Sequence, residues 1–248
     1  MMPSETRRSV LAPVALALAL LCAIAAGASG LGYRSGLWGL GIGFGVLQWA
    51  AYAAMAVCVL ALVAAILTRP GRGRHGFAAA LLALLIAAPT FAYPAWMLDR
   101  AKRLPNIHDI STDTDNPPQY IAVLPARANA PNSSQYGGAA IAVQQHQAYP
   151  GVVPLETSSP MDVTFSRALA VARDMGFEIV ATDPAAGRIE ATDTTRWIGF
   201  KDDIIIRITP RPGGSRVDVR STSRIGSSDV GANARRIERY LGKLSRAS

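Results

Sequence analysis

The sequence predicts an α+β protein with three N-terminal transmembrane helices, followed by an external domain with the order helix, four-stranded antiparallel sheet, helix. The first observation is uneven charge: of the 25 Lys/Arg and 17 Asp/Glu residues, 11 lie in residues 1–104 and 27 in residues 152–248. The second is a set of three long apolar segments without charged residues. The third is a change of hydrophobic period from 3.6 residues to two beyond residue 159. A chain with 50% hydrophobic and 17% charged residues is not disordered, collagen-like or a disulfide scaffold.

The apolar segments define a transmembrane region, residues 1–98. They cover about residues 10–28, 43–67 and 76–97, and each is rich in Ala and Leu. Each is long enough to cross a hydrocarbon core, which takes roughly 20 helical residues. Gln48 is the one strongly polar side chain well inside a span, where an amide typically makes a helix-to-helix hydrogen bond. Small residues four apart permit close helix contact here, although a flexible Gly-rich loop is the alternative for Gly39, Gly41, Gly43 and Gly45.

Basic residues near the spans predict the orientation. The short loops place five on one side and only Arg34 on the other; the five are Arg7, Arg8, Arg69, Arg72 and Arg74. The positive-inside rule then places the N-terminus in the cytoplasm and the C-terminal domain outside, which in a two-membrane bacterium is the periplasm. Cleavage of the first span as a signal peptide is an alternative that leaves this location unchanged. Cys22 and Cys58 both fall inside spans, so no disulfide is expected in the external domain.

Residues 99–158 form a predicted extended, Pro-rich connection with seven of the sixteen prolines. An acidic string beside His108, comprising Asp109, Asp113 and Asp115, raises the possibility of a metal site. The spacing fails the EF-hand pattern, because Thr114 and Tyr120 occupy the places that require Gly and Glu. A solvated turn with side-chain caps before Pro117 and Pro118 is therefore favoured, and no metal site is predicted.

The external domain is predicted over residues 159–248. A first amphipathic helix has an apolar stripe of Met161, Phe165, Leu169, Ala172 and Met175, and Gly176 ends it. Four strands follow, whose inward residues are Ile179 and Ala181, then Ile189 and Ala191, then Ile204, Ile206 and Ile208, then Val217 and Val219. Glu190, Asp203 and Arg220 are predicted to face outward. A last helix has the apolar stripe Val230, Ala234, Ile237, Leu241 and Leu244, opposite Arg235, Arg236, Glu238, Arg239 and Lys243. Two helices then cover one face of the sheet.

Several short motifs in this domain resemble one bacterial family. They are residues 190–195, Trp197, residues 199–203, residues 218–226 and residues 228–233, together with the Asp-Asn-Pro-Pro stretch at 115–118. Their order and spacing are similar to those of the family catalogued as domain of unknown function 1499, over roughly residues 105–245. The resemblance extends to members with three preceding membrane spans. It implies no activity, substrate or catalytic residue.

The segment between the last strand and the last helix is the candidate ligand site. Arg side chains, hydroxyl groups and free N–H groups at a helix start together favour an anion, such as the phosphate or carboxylate of an envelope ligand or lipid headgroup. The predicted site residues are Arg220, Ser221, Ser223, Arg224, Ser228, Asp229 and Asn233. The competing and favoured interpretation is structural: Ser228 or Asp229 caps the helix while Asp202 and Asp203 pair with Arg220 and Arg224.

Other classes of function are less well supported by the sequence. Asp202 and Asp203 are adjacent on a strand, so they point to opposite faces and cannot share one acid–base site. The three histidines, His75, His108 and His146, complete no catalytic triad or zinc pattern, and no cofactor is predicted. Nucleic acid is not an expected partner, because most of the net charge of +8 lies in the membrane half. The sequence thus favours a binding or structural module that contacts membrane lipids, an envelope protein or an anionic ligand. The alternative is an enzyme or transporter accessory acting on envelope lipid or glycan through residues 220–229. Oligomeric state is left open.

Overall fold

The computed structural model describes residues 7–71 and 74–246. The chain divides into two compact units. The first contains residues 1–100 and the short segment 196–199, and the second contains residues 101–195 and 200–248. Arg72, one of the five basic residues used for orientation, lies outside the described residues, and so do the first six residues and the last two.

The first unit contains three helices that are long and apolar enough to cross a membrane. They are α1 (Leu11–Arg34), α2 (Leu40–Thr68) and α3 (Phe77–Arg103), and two short strands, β1 (Arg7–Arg8) and β2 (Arg74–His75), pair in parallel beside them. The three predicted spans are confirmed as helices. Both α1 and α3 continue several residues beyond the predicted limits, into polar sequence that composition alone does not mark as helical.

Small side chains allow α1 and α2 to approach closely. At Gly43 a Cβ would lie 2.9 Å from the backbone oxygen of Ser29, and at Gly32 it would clash with the ring of Trp38. Alanines fill the centre of the unit: Ala15, Ala19, Ala54, Ala61, Ala83 and Ala87. Gly41, Gly43 and Gly45 all lie within α2, which decides between the two interpretations of this Gly-rich stretch in favour of the helix.

The second unit is an α+β domain with a sheet of six strands. Its elements are β3 (Asp109–Ser111), a 3-10 turn (Pro125–Arg127), α4 (Ala139–Ala148), β4 (Leu155–Thr157), α5 (Met161–Asp174), β5 (Glu178–Asp183), β6 (Arg188–Thr194), β7 (Lys201–Arg211), β8 (Gly214–Ser223) and α6 (Ala232–Arg246). The strand order is β3-β8-β7-β6-β5, and β4 also pairs with β8. The four predicted strands are present, but β3 and β4 add two more from the stretch predicted as a connection.

One face of the sheet forms the apolar core with α5 and α6. Its inward residues are those predicted from the alternation, including Ile189, Ala191, Ile204, Ile206, Ile208, Val217 and Val219. Phe165 of α5 and Ile237 and Tyr240 of α6 pack onto them. Burying an Ile or Leu side chain is worth about 1.5–3 kcal/mol, so this layer supplies much of the driving force for folding.

The other face is polar yet buried, which corrects the prediction that its residues face solvent. Glu190, Asp203 and Arg220 are each 0% exposed. Residues 112–136, here called the covering segment, lie across this face, where Tyr120 and Val123 form a small apolar cluster with Ile205. A sheet face with so few apolar contacts must satisfy its charges internally, because unpaired buried charges are costly.

Candidate functional site: a buried ion-pair network

Arg220 occupies the centre of the polar face, on strand β8. Its Nε and Nη2 donate to the two carboxylate oxygens of Asp109 on β3, at 2.9 and 2.7 Å. Its Nη1 donates to the carbonyl of Pro118 and its Nη2 to that of Ser134, at 3.0 and 2.7 Å. A two-pronged pairing of this kind is the strongest that arginine makes with a carboxylate. The guanidinium therefore joins β8 to β3 and to two points of the covering segment.

Two tyrosines of the covering segment flank this guanidinium. The Arg220 Cζ lies 5.0 Å from the ring centre of Tyr120 and 5.6 Å from that of Tyr136. The Tyr120 hydroxyl donates to the backbone oxygen of Asp203 at 2.8 Å and lies 3.1 Å from the Thr222 hydroxyl. Burial raises the pKa of Tyr120, and it raises the pKa of Tyr136 to about 12. Both phenols are therefore neutral at neutral pH.

Asp203 on β7 is the second buried charge centre. Arg224 donates to its carboxylate at 2.8 and 2.9 Å, Arg127 of the covering segment donates at 2.6 Å, and the Thr192 hydroxyl donates at 2.7 Å. Burial alone would raise the pKa of Asp203, but these hydrogen bonds from Arg224, Thr192 and Arg127 outweigh it and hold the pKa below its usual value. The predicted Asp203–Arg224 pair is present, with Arg127 as an additional partner.

Glu190 on β6 binds the backbone of the covering segment. Its carboxylate accepts the N–H groups of Ile121, Ala122 and Val123 at 3.0–3.1 Å. Arg188 pairs with the same carboxylate at 3.3 Å. Successive backbone N–H groups of this kind form a cradle that binds anions in many proteins. In this chain the anion is the protein's own glutamate.

A separate ion-pair group lies on the helix side of the sheet. Arg236 of α6 donates to Asp202 at 2.6 Å and to Asp193 at 2.9 Å. The predicted Asp202–Arg220 pair is therefore wrong, because the two residues lie on opposite faces. Arg236 is only 4% exposed, although the helical pattern predicts it on the outer face. Ser221 donates to the Asn233 side-chain oxygen at 2.7 Å, which ties β8 to the first turn of α6.

The loop before α6 is closed by its own side chains. The Asp229 carboxylate accepts the N–H groups of Gly231 and Asn233 at 2.9 and 2.6 Å, so it caps the helix as the structural interpretation predicts. Burial raises the pKa of Asp229, although these two hydrogen bonds oppose the shift. Val230 has φ +51°, a left-handed conformation that is rare for a β-branched residue, and it therefore precedes the helix instead of joining its apolar stripe.

The predicted site residues are thus divided between the two faces of the sheet, with Arg220 and Arg224 on the polar face and Ser221, Ser223 and Asn233 on the helix side. Arg220 is fully buried against Asp109, and 17% of the Arg224 side chain is exposed beside Asp203. The remaining members bond within the domain: Ser221, Ser223, Ser228, Asp229 and Asn233. An external anion at this loop would have to displace Asp203 from Arg224, or Asp229 from the start of α6.

The acidic string of the connection has two separate roles. Asp109 is buried in β3 as the partner of Arg220, which corrects the expectation of a solvated turn there. Asp113 pairs with Arg207 and Arg216 at 3.0 and 3.3 Å, and its other oxygen accepts the Asn116 N–H in the predicted type of side-chain turn. Within residues 7–71 and 74–246, no group of three or more His, Cys, Asp or Glu residues is arranged to hold a metal ion.

Accessible positive charge lies instead along α6. Arg235, Arg239 and Arg246 are exposed and fall on one side of the helix, because they are separated by four and seven residues. Arg235 also donates to the carbonyl of Val230, so this stripe starts at the loop itself. Lys243 beside it pairs with Asp174 of α5 at 2.5 Å. These arginines are accessible to an external ligand, whereas Arg220 and Arg224 are held in ion pairs.

A family described as "Protein of unknown function (DUF1499)" matches residues 109–244, which is more than half of the chain and includes the whole sheet. No curated protein matches the sequence. The matched range begins at Asp109, the partner of Arg220, and ends in the last turns of α6. The network described above therefore lies inside the part of the chain that the family match covers.

Proposed function

Since the chain belongs to the DUF1499 family of proteins of unknown function, we propose from its geometry that it is a bacterial inner-membrane protein that presents a periplasmic binding module for an anionic envelope ligand. Three candidate membrane-spanning helices precede the domain. The excess of basic residues in the N-terminal segment and the α2–α3 loop supports an outward-facing domain. The family assigns no activity, so the proposal depends on the site.

One observation carries this proposal: Arg220 and Arg224 are used internally, while Arg235, Arg239 and Arg246 of α6 remain accessible. Arg220 and Arg236 are buried in ion pairs, and the Arg224 guanidinium holds Asp203. These pairs join the sheet, the covering segment and α6 into one rigid support. Arg239 and Arg246 are exposed on that support, and guanidinium groups bind phosphate or carboxylate through paired N–H donors.

The enzyme or transporter-accessory alternative receives less support from the same geometry. It requires open polar groups between residues 220 and 229. Asp202 and Asp203 lie on opposite faces with separate arginine partners, and Asp229 is occupied as a helix cap. Binding through an accessible surface demands no rearrangement of these pairs, so it is the simpler function.

The proposal can be tested with the full-length protein in zwitterionic nanodiscs, by measuring its binding to vesicles that contain phosphatidylglycerol or only phosphatidylcholine. We expect binding to the anionic vesicles that weakens with salt. Replacing both Arg239 and Arg246 with Gln should reduce it, since each basic residue near an anionic surface contributes about 1 kcal/mol. Arg211→Gln, at an exposed pair with Glu156, is the control for loss of one positive charge outside α6, and each single α6 variant is compared with it.

The same assay locates the site. Arg224→Gln tests the loop directly, because this is the motif arginine with an exposed fraction. A loss with Arg224→Gln but not with the α6 variant would place the ligand at the loop. Equal binding by all variants and by wild type, or binding independent of vesicle charge, would end the anionic-ligand proposal.

A further inference from the structure

The outer face of α2 contains an amide where hydrocarbon is expected. Gln48 is exposed in the structure, and its Nε2 donates to the hydroxyl of Tyr52, one turn later, at 3.2 Å. In the described part of the chain, no protein group donates to its Oε1. A glutamine amide has two N–H donors and an oxygen with two acceptor sites, so most of its hydrogen-bonding capacity is unused.

The position along the helix places this amide within the bilayer. The 29 residues of α2 span about 43 Å, against roughly 30 Å of hydrocarbon, so a centred helix extends about 7 Å beyond each side. Gln48 is the ninth residue and lies about 12 Å from the start. Its exposure is therefore to lipid, where polar groups without partners are expensive and rare.

The same face has room for another helix at close range. At both Gly41 and Gly45, no atom lies within 4 Å of the place that a Cβ would occupy, apart from the helix's own nearby backbone. These glycines and Gln48 share one side of α2, because they are spaced by four and three residues. The opposite side packs within the unit through Gly43, Ala50, Ala54, Val57 and Ala61. The contact with α1 thus uses Gly43 and leaves the other two glycines free.

We propose that this face is a homodimer interface in which the α2 helices of two copies meet at Gly41 and Gly45 and their Gln48 amides hydrogen-bond to each other. The inference assumes the membrane insertion proposed above. Two copies of one chain have the same orientation in the membrane, so a two-fold axis along the membrane normal can relate them. A residue close to that axis then faces the same residue of the other copy. An amide is both donor and acceptor, so it is self-complementary across that axis, which a lipid tail is not.

The test uses full-length protein in liposomes, with Förster transfer between labelled copies followed as lipid dilutes the protein. Wild type should associate reversibly. Gln48→Leu should raise the dissociation constant about three- to twenty-fold, the range for interhelical hydrogen bonds in membranes. Gly45→Leu should abolish association because its side chain would separate the backbones. Gln48→Asn keeps an amide and should retain most of the affinity.

Cross-linking locates the interface independently. In a Cys22→Ala, Cys58→Ala background, Gln48→Cys should form an intermolecular disulfide on oxidation. Ile42→Cys should not, since Ile42 is exposed but points about a third of a turn away from Gln48. Any of three results would overturn the proposal. They are no Förster transfer at any dilution, Leu variants that associate like wild type, or equal cross-linking at both positions. Alkaline extraction of the same membranes tests separately whether the protein is inserted. A failure of insertion is therefore distinguishable from a failure of the dimer.

Discussion

Arg220 is a fully buried cation whose carboxylate partner, Asp109, belongs to a distant part of the chain. Replacing Arg220 with Met keeps the apolar stem but leaves Asp109 buried without its counter-charge. We expect a loss of about 3–5 kcal/mol in the unfolding free energy of the domain. Pulse proteolysis of the full-length protein in detergent along a urea gradient measures this loss.

Arg211→Met is the matched control for that experiment. Arg211 pairs with Glu156 at an exposed position, where an ion pair contributes at most about 1 kcal/mol. Asp109→Leu combined with Arg220→Met should recover part of the stability, since removing both charges leaves neither one uncompensated. If Arg220→Met cost no more than Arg211→Met, the central role of this ion pair in the fold would be refuted.

Asp203 and Asp229 should respond to pH with opposite signs. The folded-state pKa of Asp203 is lowered, so its contribution is present above its unfolded pKa of about 3.9 and is lost as pH falls through the folded value. The folded-state pKa of Asp229 is raised, so its contribution is complete below the unfolded pKa and is lost as pH rises through the folded value.

The two Asn variants separate these contributions. The stability difference between wild type and Asp203→Asn should shrink as pH falls from about 7 to about 3, whereas the difference between wild type and Asp229→Asn should increase in favour of wild type. Denaturant titrations at several pH values measure both differences. Parallel pH profiles for the two variants would contradict the assignment.

At the scale of the element, Glu190 holds the covering segment to the sheet through three backbone N–H groups. Glu190→Gln preserves the shape but removes the charge that strengthens these bonds. Charge-assisted hydrogen bonds contribute about 1.5–3 kcal/mol, so amide hydrogen exchange at Ile121, Ala122 and Val123 should accelerate roughly tenfold or more. Mass spectrometry of the full-length protein measures this exchange. The amides of α6 provide the internal reference, and unchanged exchange at residues 121–123 would refute the role of Glu190.

Hydrophobic periodicity predicted the elements that bury an apolar face. The inward residues of β6, β7 and β8, and the stripes of α5 and α6, follow from spacing alone because each position recurs within the same element. The strands β3 and β4 have three residues each, too few for a period to emerge. They are stabilised by pairing with β8, a long-range contact that local sequence does not report.

The polar face could not be predicted for a related reason. Alternation places Glu190, Asp203 and Arg220 opposite the core, which is correct, but it equates that side with solvent. The covering segment lies there instead, and it has little apolar periodicity because ion pairs and backbone hydrogen bonds hold it in place. Asp109 of β3 and Arg127 of the covering segment are far in sequence from their counter-charges, Arg220 and Asp203. The sequence did contain one signal that this side is buried, namely a cluster of charged residues on the outer side of a central strand.

At the scale of the whole molecule, orientation in the membrane is the property on which the proposed function depends. The N-terminal segment and the α2–α3 loop contain five basic residues, against one, Arg34, at the end of α1, and basic residues resist translocation. A C-terminal alkaline phosphatase fusion in a bacterial host should therefore be active, and a fusion in the α2–α3 loop after Thr68 should be inactive. Green fluorescent protein at the same two sites should give the reverse pattern, because it requires the cytoplasm to fluoresce.

Charge variants show whether those basic residues are the cause. Replacing Arg69, Arg72 and Arg74 with Gln, and Ser35 and Leu37 with Arg, reverses the balance of basic residues around α2 while leaving the apolar spans and the C-terminal domain unchanged. Phosphatase activity at the C-terminus should then fall, and fluorescence there should appear, as some copies insert in the opposite sense. Two further variants are the controls: one has only the three Gln substitutions and the other only the two Arg substitutions. Each should change the phosphatase activity and the fluorescence by an intermediate amount. A C-terminal fusion that is inactive as phosphatase and fluorescent in the wild-type chain would place the domain in the cytoplasm, and an envelope ligand could not reach it.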